Sequence, residues 1–259
     1  MDFAGATDDR SGQKHLFFSP SKGPRLVILD PSLAATTPER IWLSTGVRAV
    51  DHCVEGMCSL VGATEQTIAA SEKALGLLIP GLLRCAANRN DLEAILECQL
   101  GSAEAIGSVS VNKVSLGGSH AIGHQLGPLG VGHGETSCIL LPAVCRFNLQ
   151  HCDGLPQAAT IHERQERARD FLLGNSTVQG VLRSRLPDFD TKKPDLAAIL
   201  DAVFRQLRMP RSLSDLGVKL SPEQLDTLAE HSLTDIWCPT NPIPLTTKEP
   251  VLEILQQVV

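Results

Sequence analysis

A helical bundle led by a short β-hairpin is the fold class this sequence predicts. Apolar residues recur every three or four positions from Thr36 to the C-terminus, the period of a helix with one buried face. Cap-forming residues stand at the starts of several of these stretches. Only ahead of Thr36 do short apolar runs, KHLFFS at 14–19 and RLVILD at 25–30, read as strands.

Those two runs are separated by Pro20 to Pro24 with Gly23 between, and a turn follows at Asp30-Pro31. The expectation is therefore a hairpin over 14–30. A two-stranded hairpin alone is marginal in water, so these strands call for a sheet that the rest of the chain does not obviously supply. From Thr36 on, Thr37 is a candidate cap and Pro38 suits a first helical position. Ile41, Val47, Val50, Val54 and Met57 then mark a helix to about Leu60. A second helix is expected from Thr64 to Ala87, bent near Pro80. A third opens at Asp91 and carries Ile95, Leu96, Leu100, Ala103 and Ile106. Ser115–Gly118 leads into Ser119–Leu126, and a further helix covers Glu135–Asn148. Amphipathic stretches continue at Leu155–Leu173, Thr177–Leu186, Pro194–Leu207, Ser221–Leu233 and Lys248–Val259, with NPIP from Asn241 as a turn. Residues 1–35 thus form one unit and residues 36–259 a helical domain.

Of 259 residues, 42% are hydrophobic but only 3% aromatic, with no Tyr, so the core must be aliphatic. A net charge of −6 argues against nucleic acid and against anionic membrane surfaces. No apolar run approaches the roughly 20 residues of a membrane helix, and no basic-then-apolar leader opens the chain. The cytoplasm is the default location. Eight cysteines without a CxxC pair read as reduced, buried small hydrophobes.

Four histidines carry the candidate chemistry. His52 lies in GVRAVDHCVEG on the first long helix. His120 and His124, four apart in GGSHAIGHQLG, share one helix face. His133 follows Gly127, Gly130 and Gly132, which can turn the chain back toward that face. Neutral imidazoles on facing helices suit a divalent transition metal. By spacing alone, each is equally read as a structural histidine that has found a hydrogen bond.

The stretch SHAIGHQLGPLGVGHGETSCILLPAVCRFN at 119–148 closely resembles the signature HxxxHxLG, loop, HG, LPxVxxxN of the iron-containing alcohol dehydrogenases. PRLVILDPSLAATTP resembles that family's hinge, TGVRAVDHCVEG its first ligand helix, and TNPIPLTTKEPVLEIL its C-terminal end. The resemblance runs from about Gly12 to Val259. It implies the helical C-terminal fold that the family shares with dehydroquinate synthase. It implies His52, His120 and His133 as metal ligands, with Fe2+ or Zn2+ as the ion, and His124 as the residue that helps relay the proton. The metal would polarise a substrate oxygen while hydride passes to or from NAD(P).

Two departures from that pattern shape the expectations. The family's ligand Asp, four residues before the first His, is here Arg48, a permanent cation that cannot hold a metal. Asp51 precedes His52, but adjacent helical residues point about 100° apart. Arg48 could instead clamp an anionic small-molecule substrate. That points to the maleylacetate reductase branch, whose wording (GVRAVDHCVEG, then GHGETSCILLP) is closer. There the histidines act without a metal, as proton donor and oxyanion partner. Arg48 otherwise reads as a surface residue, Asp51 as a solvated or ion-paired one, and Glu55 as packing or support for a ligand. The second departure is that nothing before residue 12 can hold the family's nucleotide-binding domain. Residues 1–35 read as its last strands and hinge. The expectations are thus an NAD(P)-dependent alcohol dehydrogenase or maleylacetate reductase relative, crippled or dependent on a nucleotide domain from elsewhere. The alternatives are a non-catalytic remnant that binds metal or a partner, and a lyase of the dehydroquinate synthase type. A homodimer stays open.

Overall fold

The computed structural model describes residues 3–8, 10, 14–18, 25–110 and 113–259. A two-stranded antiparallel hairpin comes first, with β1 (Phe3–Thr7) pairing Phe3 with Phe18 and Thr7 with Lys14 of β2 (Lys14–Phe18). The expected hairpin is therefore corrected in its partner. Lys14–Phe18 is a strand, but Arg25–Asp30 carries none, and residues 19–24 between them lie outside the described residues. Leu26, Val27 and Ile28 are 77%, 65% and 78% exposed. Three consecutive apolar residues suit a strand buried on both faces, as in a covered parallel sheet, and no such sheet stands among the described residues.

Eleven helices follow among the described residues: α1 (Pro31–Ala34), α2 (Glu39–Cys58), α3 (Glu65–Ala87), α4 (Leu92–Ser110), α5 (Gly118–Leu126), α6 (His133–Gln150), α7 (Ala158–Leu173), α8 (Ser176–Arg185), α9 (Leu196–Gln206), α10 (Pro222–Ser232) and α11 (Lys248–Gln256). Side-chain caps start many of them. Thr64 accepts from the Thr67 amide, Asp91 from Ala94, Asp195 from Ala198 and Ser221 from Gln224, each satisfying an amide the helix cannot. Thr37 does not cap α2. Pro38 occupies the cap position, with no side-chain bond. None of these helices is long and apolar enough to cross a membrane.

The apolar faces meet in two main cores. One gathers α2, α3, α4, α7, α8 and α9 around Leu43, Val47, Leu75, Leu78, Ile95, Leu200 and Phe204. The other gathers α5, α10 and α11 around Ile122, Leu126, Leu228, Leu245 and Ile254. Helix α6 serves both, giving Cys138, Leu141 and Cys145 to the first and Ile139, Leu140, Val144 and Phe147 to the second. All eight cysteines are free and buried. Their role as small apolar fillers matches the sequence expectation.

Helices α2 and α6 cross with almost no room between their backbones. A Cβ added at Gly134 would stand 2.5 Å from the Ser44 carbonyl carbon and 2.6 Å from its oxygen. Only glycine permits that approach, and it brings the start of α6, with His133, against the helix that carries His52.

Candidate functional site

The site forms along the seam between the two cores. Helix α2 supplies Arg48, Asp51, His52 and Glu55 on one face, at the three- and four-residue spacing of a single stripe. Helix α5 supplies His120 and His124, and α6 opens with His133. The four imidazoles stand in a row. Ring centroids are 4.5 Å apart for His52 and His120, 6.5 Å for His120 and His124, and 6.2 Å for His124 and His133. The last pair is stacked within 3° of parallel.

The ring nitrogens' partners favour one tautomer for each histidine. His52 Nδ1 lies 2.8 Å from the Arg48 carbonyl oxygen. A carbonyl only accepts, so Nδ1 holds the hydrogen and Nε2 holds a lone pair. His120 Nδ1 lies 2.8 Å from Glu55 Oε2, and with Glu55 ionised, the form its Gly117 and Ser119 amide donors favour, Nδ1 donates there and Nε2 is bare. The two bare Nε2 atoms face each other at 3.3 Å. Two imidazole nitrogens bound to one tetrahedral ion at about 2.05 Å would stand about 3.3 Å apart. Two facing acceptors with no proton between them repel. The spacing and the lone pairs therefore fit a divalent cation.

Glu55 is the anchor of this arrangement. Its Oε2 also accepts the Gly117 amide at 3.0 Å, and Oε1 accepts the Ser119 amide at 2.8 Å. A Cβ at Gly117 would sit 3.1 Å from Oε1 and 2.8 Å from Asn241 Oδ1, so glycine there lets the chain close on the carboxylate. Asn241 Oδ1 takes the next amide, Gly118, at 3.0 Å.

Arg48 and Asp51 form a second buried unit beneath the row. Arg48 is 6% exposed and Asp51 fully buried, which corrects the alternative of a surface arginine and leaves Asp51 as the ion-paired, not the solvated, aspartate. Arg48 donates to Ser137 Oγ at 3.0 Å and lies 3.5 Å from Asp51 Oδ2. That oxygen also accepts from Ser119 Oγ at 2.9 Å and Ser137 Oγ at 2.5 Å, and it lies 3.4 Å from His120 Nδ1. Arg48 Nε and Asp51 Oδ1 have no partner.

Burial dominates the protonation of these groups. It pushes Asp51 up to about 6, opposed by Arg48 and by the Ser137 and Ser119 hydroxyls. It pushes Glu55 up to about 8, reinforced by Asp51 and opposed by the Gly117 and Ser119 amides. Burial, helped by the Arg48 charge, pulls His52 down to about 4 and His120 well below its usual range. Both rings are thus neutral at neutral pH, the form that binds a cation.

His124 has a different partner. Its Nδ1 lies 2.8 Å from Asp235 Oδ2, and Asp235 Oδ1 is held by the Trp237 amide at 3.0 Å. Asp235 sits in the turn after α10 and gives no sequence signal, because its relation to His124 spans 111 residues. Ser119 and Ser137 were equally silent in the sequence.

The five residues singled out by sequence all come to this one seam. Arg48 stands at its base, His52 and His120 meet, and His124 and His133 extend the row. The profile of the Fe-containing alcohol dehydrogenase family, C-terminal, matches residues 42–259. Dehydrogenase ALT3 of Alternaria alternata is 40% identical over 97% of this chain and 66% of its own length. The solved alcohol dehydrogenase from Oenococcus oeni superposes with a TM-score of 0.77 at 25% identity, covering 100% of this chain and 62% of that one. A maleylacetate reductase from Rhizobium sp. strain MTP-10005, at 22% identity and a TM-score of 0.68 over 99% of this chain and 63% of that one, shares the fold. The chain spans about two thirds or less of the length of each. It belongs to the iron-containing alcohol dehydrogenase family and matches that family's C-terminal part.

Proposed function

We propose that this chain is the metal-binding and proton-handling part of an NAD(P)-dependent dehydrogenase that interconverts a carbonyl compound and its alcohol. The observation that carries the reading is the pair of bare Nε2 atoms on His52 and His120, 3.3 Å apart with both Nδ1 positions tied down. His52 and His120 would hold an Fe2+ or Zn2+ ion, and His133, the third ligand the family resemblance implies, stands beyond His124 and would have to move to reach it. The ion supplies Lewis acidity toward the substrate oxygen when bound.

The residues of the chain do the rest. Glu55 and the Arg48 carbonyl keep the two rings in the tautomer that presents Nε2. Asp235 holds His124 by Nδ1, which leaves His124 Nε2 to give a proton to the developing alkoxide or take one from the alcohol. The neighbouring cores exclude water from Ser119, Asp51 and His120. A reduced nicotinamide would be the source of the hydride, and we place its docking in the part of the relatives' chains that this chain does not match. The dehydrogenase name of the ALT3 relative supports an oxidoreductase over a lyase.

Arg48 favours a second, finer reading. Its guanidinium places a positive charge beneath the histidine row, which favours an anionic substrate. A keto acid is then the preferred carbonyl compound over a simple aldehyde, in line with the maleylacetate reductase branch.

Anaerobic equilibrium dialysis of the full chain against Fe2+ tests the main proposal. Bound Fe2+ that falls by one ion per chain in His52→Ala and in His120→Ala is the expected result. Undiminished Fe2+ content in both variants would overturn it.

A further inference from the structure

At the opposite end of α6 from His133, three ligand atoms of different chemistry meet. Cys152 lies just past the end of α6, Asp153 follows it, and His162 projects from the start of α7. His162 Nε2 is 3.3 Å from Cys152 Sγ and 3.1 Å from Asp153 Oδ1, and Sγ to Oδ1 is 4.0 Å. A helix of 18 residues is about 27 Å long, so this cluster is a separate place from the histidine row.

The contacts exclude a nucleophilic relay. A cysteine–histidine–aspartate relay uses both ring nitrogens, one facing sulfur and the other the carboxylate. Here a single nitrogen, Nε2, faces both. It has one hydrogen or one lone pair to offer and cannot serve two partners well in either form. Three ligand atoms directed at a common point are what a cation needs.

We propose that Cys152, Asp153 and His162 form a second metal site for a borderline divalent ion of the Zn2+ type. Tetrahedral coordination at Zn–S about 2.3 Å, Zn–N about 2.05 Å and Zn–O about 2.1 Å gives edges of about 3.6 Å for S–N, 3.4 Å for N–O and 3.6 Å for S–O. The three separations in the protein fall within about 0.4 Å of those edges. One sulfur, one imidazole nitrogen and one carboxylate oxygen match zinc, cobalt and their neighbours. They do not suit calcium or magnesium, which need several oxygens.

The scaffold is already in place. The sulfur is buried, and its S–H donates to the Leu149 carbonyl at 3.3 Å, a bond given up when the thiol ionises. Ile161, next to His162, is in contact with the interior at 1% exposure. Asp153 is 86% exposed along its side chain and His162 42%, so the ion enters from solvent and keeps water in its fourth position. On binding, the thiol S–H bond breaks, the S–metal bond forms and the proton leaves to solvent. Nothing is oxidised or reduced. The ion would tie the α6–α7 corner, whose second helix reaches back to α6 through Gln165 and the Cys145 carbonyl at 2.9 Å.

Titration of the reduced full chain with Co2+ tests this. A thiolate ligand produces a near-ultraviolet sulfur-to-cobalt charge-transfer band, which the sulfur-free histidine row cannot give. The band should grow to one Co2+ per chain, vanish in Cys152→Ser and survive in His52→Ala. In His162→Ala and Asp153→Asn, both at exposed side chains where folding is not at stake, affinity should fall at least about tenfold, since even a ligand's supporting partner is worth that much. Absence of the band in the wild-type chain would overturn the site, as would a band that persists in Cys152→Ser or is untouched by His162→Ala. Because the histidine row is read by Fe2+ content, failure here leaves that reading intact, and the reverse.

Discussion

Replacing Glu55 by Gln changes one oxygen for an NH2 group and leaves the volume alone, yet it removes half of the acceptor set that orients His120. The carboxylate serves three donors, with Ser119 N on Oε1 and Gly117 N and His120 Nδ1 on Oε2. If the NH2 takes the place of Oε2, two donors are orphaned, and His120 must move its hydrogen to Nε2, where it bonds to His52 and closes the pair. If the NH2 takes the place of Oε1, only the Ser119 amide is orphaned and His120 keeps a neutral acceptor in place of a charged one. The second arrangement is cheaper. One buried unpaired donor costs about 1–3 kcal/mol of stability, and a weakened partner behind a metal-binding histidine costs about 10–100-fold in affinity. Urea denaturation measures the first, and competition against a chromophoric chelator measures the second. A Glu55→Gln chain with wild-type stability and wild-type metal affinity would refute the reasoning, since the carboxylate would then be a bystander.

Other perturbations follow from the same geometry. Arg48→Asp replaces a buried cation beside the row with an anion at the family's ligand position. Metal affinity should rise about tenfold or more, the scale on which one nearby charge acts, and unchanged affinity in the same chelator assay would contradict it. Gly134→Ala forces a methyl into the Ser44 carbonyl and the Thr45 amide, both backbone groups that cannot swing away. A stability loss of about 1–3 kcal/mol is expected in urea denaturation, and a neutral effect would mean that α2 and α6 do not cross so closely. Asp235→Ala removes the acceptor of His124 Nδ1–H. The hydrogen-bonded ring proton should vanish from the downfield proton NMR spectrum while Fe2+ content stays unchanged. Its persistence would assign that bond elsewhere.

The helices were legible because each one carries its own local signals. Thr64, Asp91 and Ser221 announce starts that the structure meets with cap bonds, whereas the Asp195 cap went unread. The His120/His124 spacing placed two site residues on one face, and the motif resemblance brought His52 and His133 to them. What stayed hidden depends on contacts distant in sequence. Asp235 acts on a histidine 111 positions away, and Ser119 and Ser137 matter only because they converge on Asp51 from two other helices. The hairpin was misread for a related reason. Strand pairing is a choice among partners, and the sharply apolar Arg25–Asp30 run outcompeted the blander Phe3–Thr7 in the sequence reading. In the fold Phe3–Thr7 wins the pairing with Lys14–Phe18. Arg48 read as an anionic-substrate clamp or, failing that, a surface residue, and its burial follows from the Ser137 and Asp51 partners that only the folded chain provides.

Anomalous diffraction at the iron or zinc edge from metal-soaked crystals tests the central claim most directly. The account predicts a strong peak lying within about 2.0–2.2 Å of both His52 Nε2 and His120 Nε2, separate from any at Cys152 and His162. Metal peaks found only elsewhere, with those two nitrogens still in direct contact across a shared hydrogen, would contradict it.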